Sequence, residues 1–127
     1  MLSRGLLAGS RPTGPADLRS HLPRFTGDNL AKNQKLAGVL QQIATSLKAT
    51  ASQVAIAWVQ AQGRSRGVDM VALVGSRTRS QLDESLGALQ VALGADDLQR
   101  IEAALPADAV AGTRYDAYQM GHLDSEV

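Results

Sequence analysis

Hydrophobic residues recur at helical spacing over much of the chain, and two helices follow from the pattern. In residues 32–48 the apolar positions come three or four apart while Lys and Gln fill the opposite face; they are Leu36, Val39, Leu40, Ile43 and Leu47. A second helix is predicted to begin at Thr50, because Gln53 three residues later completes a capping box. Its apolar stripe includes Trp58, and Gly63 is predicted to end it as the C′ residue.

A different pattern follows the second helix. The apolar run of residues 71–74 contains β-branched side chains, which predicts a buried strand of a parallel sheet. Gly75 and Ser76 end the run, and Arg77 follows at once. From Ser80 onward leucines recur four and three apart, which predicts an amphipathic helix. This arrangement favours phosphate binding, because the N–H groups at a helix start and the arginine charge converge on one point.

The remaining stretches complete a single-domain organisation, which also suits a length of 127 residues. Residues 1–31 are predicted to be loop and connector, because proline and glycine interrupt them. Residues 32–105 are predicted to form helix, helix, strand, helix and helix, with Asp96 and Asp97 in the first turn of the last helix. Residues 106–127 are predicted to be a tail.

Composition narrows the class of protein. The chain is 44% hydrophobic and 20% charged, and no apolar run approaches the ~20 residues of a membrane-spanning helix. A cytoplasmic protein without membrane association is therefore predicted, with a transit peptide at the N terminus as the alternative. The absence of cysteine excludes disulfides, thiolate catalysis and cysteine-bound zinc. His21 and His122 are too few for a histidine-rich metal site, so no metal is expected.

Charge is unevenly distributed along the chain. Residues 1–48 contain seven Lys and Arg against two Asp and Glu, whereas residues 49–127 contain six against ten. The basic charges are scattered and Phe25 is the one aromatic among them, which favours a solvated face over a nucleic-acid surface. A helix-turn-helix reader is also disfavoured, because the second helix offers no cation before Arg64 for the phosphate backbone.

Two motifs resemble the aldo-keto reductases, which are nicotinamide-dependent oxidoreductases with a (β/α)8 TIM barrel. Gly-Ser-Arg at 75–77, followed by Gln-Leu-x-Glu-x-Leu-x-Ala-Leu at 81–89, is similar to the last strand–helix unit of that family. Residues 2–9 resemble the loop after the seventh barrel strand. A complete barrel needs roughly 250 residues. The resemblance therefore implies an α/β fold, as a C-terminal fragment of the barrel that is mostly helical with one or two short strands.

The resemblance also implies NADPH as the cofactor and a set of residues that bind it. Arg77 would pair with the 2′-phosphate, Gln81 would bond the same ribose-phosphate region, and Glu84 would accept from the adenine amine. Ser85 stands where the family often has Asn. The other implied contacts come from residues whose backbone approaches the phosphates, namely Gly75 and Ser76 in the turn and Leu2, Ser3 and Gly5 in the N-terminal loop.

The resemblance implies no catalytic residue in this chain. The family's Tyr, Lys, Asp and His lie in the first half of the barrel, and Tyr115 and Tyr118 match none of these positions. The complete enzyme would reduce an aldehyde or ketone with NADPH, while the chain alone is expected to be inactive. A non-catalytic nucleotide-binding piece and a helical interaction module remain alternatives. Unpaired strand edges also predict self-association.

Overall fold

Regular structure in the computed structural model, which describes residues 3–123, consists of helices alone. The α-helices within that range are α1 (Gly27–Ser46), α2 (Ala51–Ser65), α3 (Arg79–Leu86), α4 (Ala95–Ala104) and α5 (Ala117–Met120). Short 3₁₀ segments are found at Ser3–Gly5, Leu18–His21, Pro23–Phe25 and Gly87–Gln90. No helix of the described residues is both long enough and apolar enough to span a bilayer.

The main core lies where α1 packs against α2 and α4. Its buried side chains come from the apolar stripes of these three helices and are Leu40, Ile43, Ala44, Ala51, Val54 and Ile101. A second, smaller cluster joins the N-terminal residues to the start of α1 through Leu6, Leu22 and Phe25. The helical periodicity of residues 32–48 thus marks the face that α1 buries.

Helix α1 begins at Gly27, earlier than predicted, and the prediction that residues 1–31 are only loop and connector is therefore wrong at its end. The first turns of α1 bury Asn33 rather than an apolar side chain. A hydrophobic pattern cannot predict this turn, because the residue that the turn buries is an asparagine with a hydrogen-bonded side-chain amide. Three 3₁₀ segments also occupy the predicted connector.

The start of α2 is as predicted, but its end is not. The Thr50 hydroxyl accepts from the Gln53 N–H at 3.2 Å, and the Gln53 side chain accepts from the Thr50 N–H at 3.0 Å, which confirms the capping box. The prediction of Gly63 as the C′ residue is wrong, because α2 continues to Ser65 and Gly63 is buried within it. Gly67, at φ +65°, takes the left-handed conformation just beyond the helix.

The strand predicted at residues 71–74 is not formed, since the described residues contain no strand. Val71 and Leu73 are 85% and 86% exposed instead of buried. A strand is defined by hydrogen bonds to a neighbour, and the rest of the described chain folds as helices and loops that offer none. The leucines of the predicted amphipathic helix are also exposed, namely Leu82, Leu86 and Leu89.

Candidate functional site

A cleft of about 770 Å³ separates the N-terminal loop from the turn that starts α3. One wall consists of residues 4–19 and includes Arg4, Gly5, Ala8, Ser10, Thr13, Asp17 and Arg19. The other wall runs from Leu73 into α3 and includes Val74, Gly75, Arg77, Gln81, Glu84 and Ser85, and Ser52 of α2 also lines the cleft. Two segments far apart in sequence therefore face one space.

The cleft brings together most of the residues proposed from the sequence. Gly5 stands on one wall, and Gly75, Arg77, Gln81, Glu84 and Ser85 stand on the other. Ser3 and Ser76 are not among the lining residues, although each neighbours residues that are. Leu2 lies outside the described residues.

The turn before α3 is built by its own side chains. The Thr78 hydroxyl accepts from the Gln81 N–H at 3.2 Å, and the Gln81 Oε1 accepts from the Arg77 N–H at 2.8 Å and the Thr78 N–H at 3.3 Å. This second capping box holds Arg77 at the positive end of the helix dipole. Within residues 3–123 the Gln81 Nε2 makes no hydrogen bond, so only this end of the side chain is available to a ligand.

Glu84 and Ser85 stand one turn further along α3. The Glu84 carbonyl accepts from Gln53 Nε2 at 3.0 Å, which ties the helix to the start of α2 and leaves the Glu84 carboxylate exposed in the cleft wall. The Ser85 hydroxyl donates to the Gln81 carbonyl at 2.8 Å. Ser85 can therefore offer a ligand an acceptor lone pair, but its own proton is already used.

Arg19 organises the opposite wall, and sequence reasoning missed it. Its guanidinium pairs with the Asp17 carboxylate at 2.7 Å and donates to the Ser10 hydroxyl at 2.7 Å. It also donates to the carbonyls of Arg4 and Arg11, at 3.2 and 2.9 Å. These contacts close the loop on itself. No periodic sequence pattern predicts these hydrogen bonds, because Arg19 donates to backbone carbonyls of a stretch that proline and glycine interrupt.

The ion pair between Asp17 and Arg19 determines the charge of the N-terminal wall of the cleft. Hydrogen bonds from Arg19 hold the pKa of the Asp17 carboxyl well below its usual range, and Asp17 in turn raises the pKa of Arg19. Because the charges of Arg19 and Asp17 neutralise each other, Arg4 and Arg77 are the cations of the lining left for an anionic ligand. The two stand on opposite walls.

Arg4 also contacts the C-terminal tail. Its guanidinium carbon lies 5.1 Å from the centroid of the Tyr115 ring, and that of Arg114 lies 5.7 Å from the same centroid. Interaction with the Arg4 guanidinium lowers the pKa of the Tyr115 hydroxyl. Tyr115 packs against the cluster of Leu6, Leu22 and Phe25, so the tail supports the loop that forms the cleft wall.

The lining of the cleft provides groups that can bind an anionic ligand. Its lining contains arginines, carboxylates, hydroxyls, an amide and glycine backbone, and no Tyr, Lys or His of the described residues is part of it. A Cβ added at Gly75 would meet no atom within 4 Å, so a ligand can approach this backbone closely. An anion with several oxygens fits this donor set.

Comparison with known proteins identifies the class to which these features belong. The sequence profile of the Aldo/keto reductase family matches residues 1–106, and the chain belongs to that family. It is 38% identical over 119 residues to "Probable aldo-keto reductase 1" of Glycine max, which covers 90% of this chain and 33% of the relative. It is 33% identical over 120 residues to "Aldo-keto reductase yakc" of Schizosaccharomyces pombe, covering 90% of this chain and 34% of the relative, whose name adds NADP(+).

The chain spans about a third of the length of these curated relatives. No solved structure matches it at a significant level.

Proposed function

We propose that this chain supplies the part of an aldo-keto reductase that binds the adenosine end of NADPH, in an enzyme that reduces an aldehyde or ketone. The observation that carries the proposal is the cleft in which Arg77, Gln81 and Glu84 face the loop around Gly5. Membership of the family and the NADP(+) in the name of the fission yeast relative support it.

Each wall has a distinct role in this proposal. Arg77, at the start of α3, binds the 2′-phosphate, because a planar guanidinium bonds phosphate oxygens in pairs. The Gln81 Nε2 donates to the same region, and the Glu84 carboxylate accepts from the adenine amine. The backbone of Gly75 and Ser76 borders the ribose phosphate, and the Ser85 hydroxyl oxygen is an acceptor beside the adenine.

The N-terminal wall takes the pyrophosphate in the same proposal. Gly5, at φ +86°, adopts a backbone that side chains rarely allow, which lets this loop curve around an anion. Leu2 and Ser3 precede it, and Arg4 adds a positive charge facing Arg77 across the cleft. The bound cofactor supplies hydride to the carbonyl carbon of the substrate. The residues of this chain bind and orient the cofactor, and the proton comes from a group outside the chain.

The complete protein in this proposal has a (β/α)8 barrel. The segment at 71–74 would be a barrel strand, and α2 and α3 would belong to the outer ring of helices. Burial alternates over residues 71–74, because Val71 and Leu73 are exposed whereas Ala72 and Val74 are half-buried, and a two-residue period is that of a strand. This alternation supports the assignment of residues 71–74 to a strand of the complete protein.

Fluorescence titration with NADPH and NADH tests the role of Arg77. The chain should bind NADPH more tightly than NADH, because the two cofactors differ by the 2′-phosphate alone. Arg77→Met should weaken NADPH binding by roughly 10- to 100-fold, the value of a charge-assisted phosphate contact, and leave NADH binding unchanged. Arg79→Met is the matched control, because Arg79 is exposed two residues away and does not line the cleft.

Two outcomes would contradict the proposal. Equal affinity for NADPH and NADH would show that the site does not bind the 2′-phosphate. Equal losses of NADPH affinity in the Arg77 and Arg79 variants would show that Arg77 does not contact the cofactor. NADPH oxidation by the chain alone, with a panel of aldehydes, should not exceed background. Turnover there would place the proton donor within this chain and overturn the division of roles.

A further inference from the structure

Two arginines share the ring of Tyr115 in the C-terminal tail, and one of the two lines the cleft. The Arg4 guanidinium carbon lies 5.1 Å from the ring centroid, and that of Arg114 lies 5.7 Å from it. Arg4 belongs to the lining of the cleft, whereas Arg114 and Tyr115 do not. A ligand in the cleft therefore meets Arg4 and not the ring that Arg4 contacts.

The tail that carries Tyr115 is attached to the start of α1. Asn33, which is 1% exposed, accepts from the Ala111 N–H at 2.8 Å and donates to the Ala111 carbonyl at 2.9 Å. Arg24 Nε donates to the Gly112 carbonyl at 3.2 Å. The chain reaches Tyr115 three residues later, so the position of the ring is set by contacts outside the N-terminal loop.

Arg4 has a backbone conformation that other groups must hold. Its φ of +56° and ψ of +34° are left-handed, and Ser3 at φ +48° and Gly5 at φ +86° are left-handed as well. This conformation is unfavourable for a residue with a Cβ. Arg19 donates to the Arg4 carbonyl at 3.2 Å, and the Tyr115 ring contacts the Arg4 side chain. Backbone and side chain of Arg4 are therefore held by separate groups.

A restrained arginine binds a phosphate more tightly than a free one. A long side chain loses rotamer freedom when a ligand fixes it, and this loss lowers the affinity. The Arg4 side chain is exposed, and the face of the Tyr115 ring attracts its guanidinium in the free chain. Part of the ordering has therefore occurred before a ligand binds.

We propose that Tyr115 is a positioning residue for dinucleotide binding, because its ring holds the Arg4 guanidinium at the cleft wall, where Arg4 bonds the pyrophosphate. The inference rests on the proposed function, in which the N-terminal wall takes that group. Both nicotinamide dinucleotides carry the pyrophosphate. Tyr115 therefore strengthens the binding of NADPH and NADH alike, whereas Arg77 acts on NADPH alone.

Fluorescence titration of both cofactors with ring variants tests this role. Tyr115→Leu keeps an apolar side chain for the cluster that Tyr115 packs against, but it lacks a ring face. It should weaken NADPH and NADH binding by about fivefold each. Tyr115→Phe keeps the face and should bind within about twofold of the natural chain. Arg114→Met is the matched control, because Arg114 meets the same ring outside the cleft, and it should leave both affinities unchanged.

A double-variant cycle separates positioning from a purely structural role. Arg4→Met should weaken both cofactors by roughly tenfold, since the pyrophosphate loses a charge-assisted contact. Adding Tyr115→Leu to Arg4→Met should weaken binding by no more than about a further twofold, because the ring then has no guanidinium to hold. A ring that only stabilised the loop would instead reduce affinity by the same factor in both backgrounds.

Titration of the phenol tests the contact without any cofactor. The chain has two tyrosines, so Tyr118→Phe leaves Tyr115 as the one phenol that ultraviolet absorbance follows. Its pKa should lie below the ordinary value of about 10, because the arginines beside it favour the phenolate. Arg4→Met should raise this pKa more than Arg114→Met does, since Arg4 is the larger cause of the lowering.

The contrary results are distinct. Absence of cofactor binding in the natural chain would overturn the proposed function and the role of Tyr115 with it. NADPH binding that Tyr115→Leu leaves undiminished, or a Tyr115→Leu loss that is the same with and without Arg4, would overturn the role of Tyr115 alone. A phenol pKa that does not respond to Arg4→Met would exclude the contact. A preference for NADPH over NADH that Tyr115→Leu leaves intact distinguishes its loss from that of Arg77→Met.

Discussion

Met70 lies against Gly63 so closely that no side chain fits between them. A Cβ built on Gly63 would come within 2.8 Å of the Met70 Cβ and 2.9 Å of the Val68 carbonyl oxygen. The chain that leaves α2 thus folds back over the last turns of the helix. This contact fixes the path of the chain between α2 and Leu73. It therefore positions one end of the cleft wall that includes Leu73 and Val74.

Gly63→Ala should therefore destabilise the protein, although alanine is the better helix former. Overpacking against backbone should cost about 1–3 kcal/mol of unfolding free energy. Gly38 in α1 is the matched control, because a Cβ there meets no atom within 4 Å and Gly38→Ala should stabilise by about 1 kcal/mol. Urea unfolding followed by circular dichroism measures both. A Gly63→Ala variant as stable as Gly38→Ala would contradict the close contact.

Asn33→Ala should also destabilise the chain strongly. Asn33 is 1% exposed, and its Nδ2 donates to the carbonyls of Arg24 and Ala111, each at 2.9 Å, while its Oδ1 accepts from the Ala111 N–H at 2.8 Å. Truncation leaves these backbone groups without a partner, so about 3 kcal/mol of unfolding free energy should be lost. Trypsin should then cut after Arg114 faster, because the tail is released.

Asn29→Ala provides the comparison for that measurement. Asn29 lies in the same helix, and among residues 3–123 its side chain makes one hydrogen bond, to the Pro23 carbonyl at 3.1 Å. Its loss should cost less than about 1 kcal/mol. Equal losses in the two variants would mean that Asn33 does not hold the tail.

The sequence predicted those features of the helices that depend on residues close together in the chain, and it did not predict the rest of the fold. The α2 capping box and the apolar stripe of α1 follow from the spacing of residues along the chain, and the structure contains both. The start of α1 was missed because its buried residue is Asn33, whose hydrogen-bond partners include Ala111, 78 residues away in sequence. The prediction of a strand at 71–74 was wrong because a strand needs a hydrogen-bonded neighbour, and a local sequence pattern does not show whether one is present.

The candidate site divides in the same way. The turn around Arg77 was found because glycine, cation and helix start are contiguous in sequence. Arg19 was not found, because its importance comes from carbonyls and a hydroxyl gathered by the fold. The capping role of Gln81 was also missed, and it leaves half of that side chain for a ligand.

Thr78→Ala should unravel the start of α3 and loosen the turn that presents Arg77. Removing the cap hydroxyl should cost about 1 kcal/mol, which is large for a helix of eight residues. Amide exchange at Gln81 should accelerate about fivefold. Thr78→Ser keeps a hydroxyl at the cap and should exchange like the natural chain. Identical exchange in both variants would show that the cap does not hold this turn.

The Asp17–Arg19 pair should make stability depend on pH in the acid range. The pKa of Asp17 is lowered on folding, so the unfolded chain binds more protons than the native chain between the two pKa values. The stabilisation is therefore complete above the ordinary Asp pKa of about 3.9 and is lost as pH falls below it. Unfolding free energy from urea titrations should therefore fall as the pH is lowered from about 5 to about 2.

Asp17→Asn should flatten that drop and weaken the N-terminal wall at neutral pH, where trypsin should cut faster after Arg4, whose carbonyl accepts from the Arg19 guanidinium. The reason is that the Arg19 guanidinium loses the carboxylate that orients it toward the Ser10 hydroxyl and this carbonyl. Asp108→Asn is the control, since the Asp108 carboxylate is exposed and makes no hydrogen bond within residues 3–123. If both variants keep the natural pH dependence, the acid response arises elsewhere and the pair does not stabilise this wall.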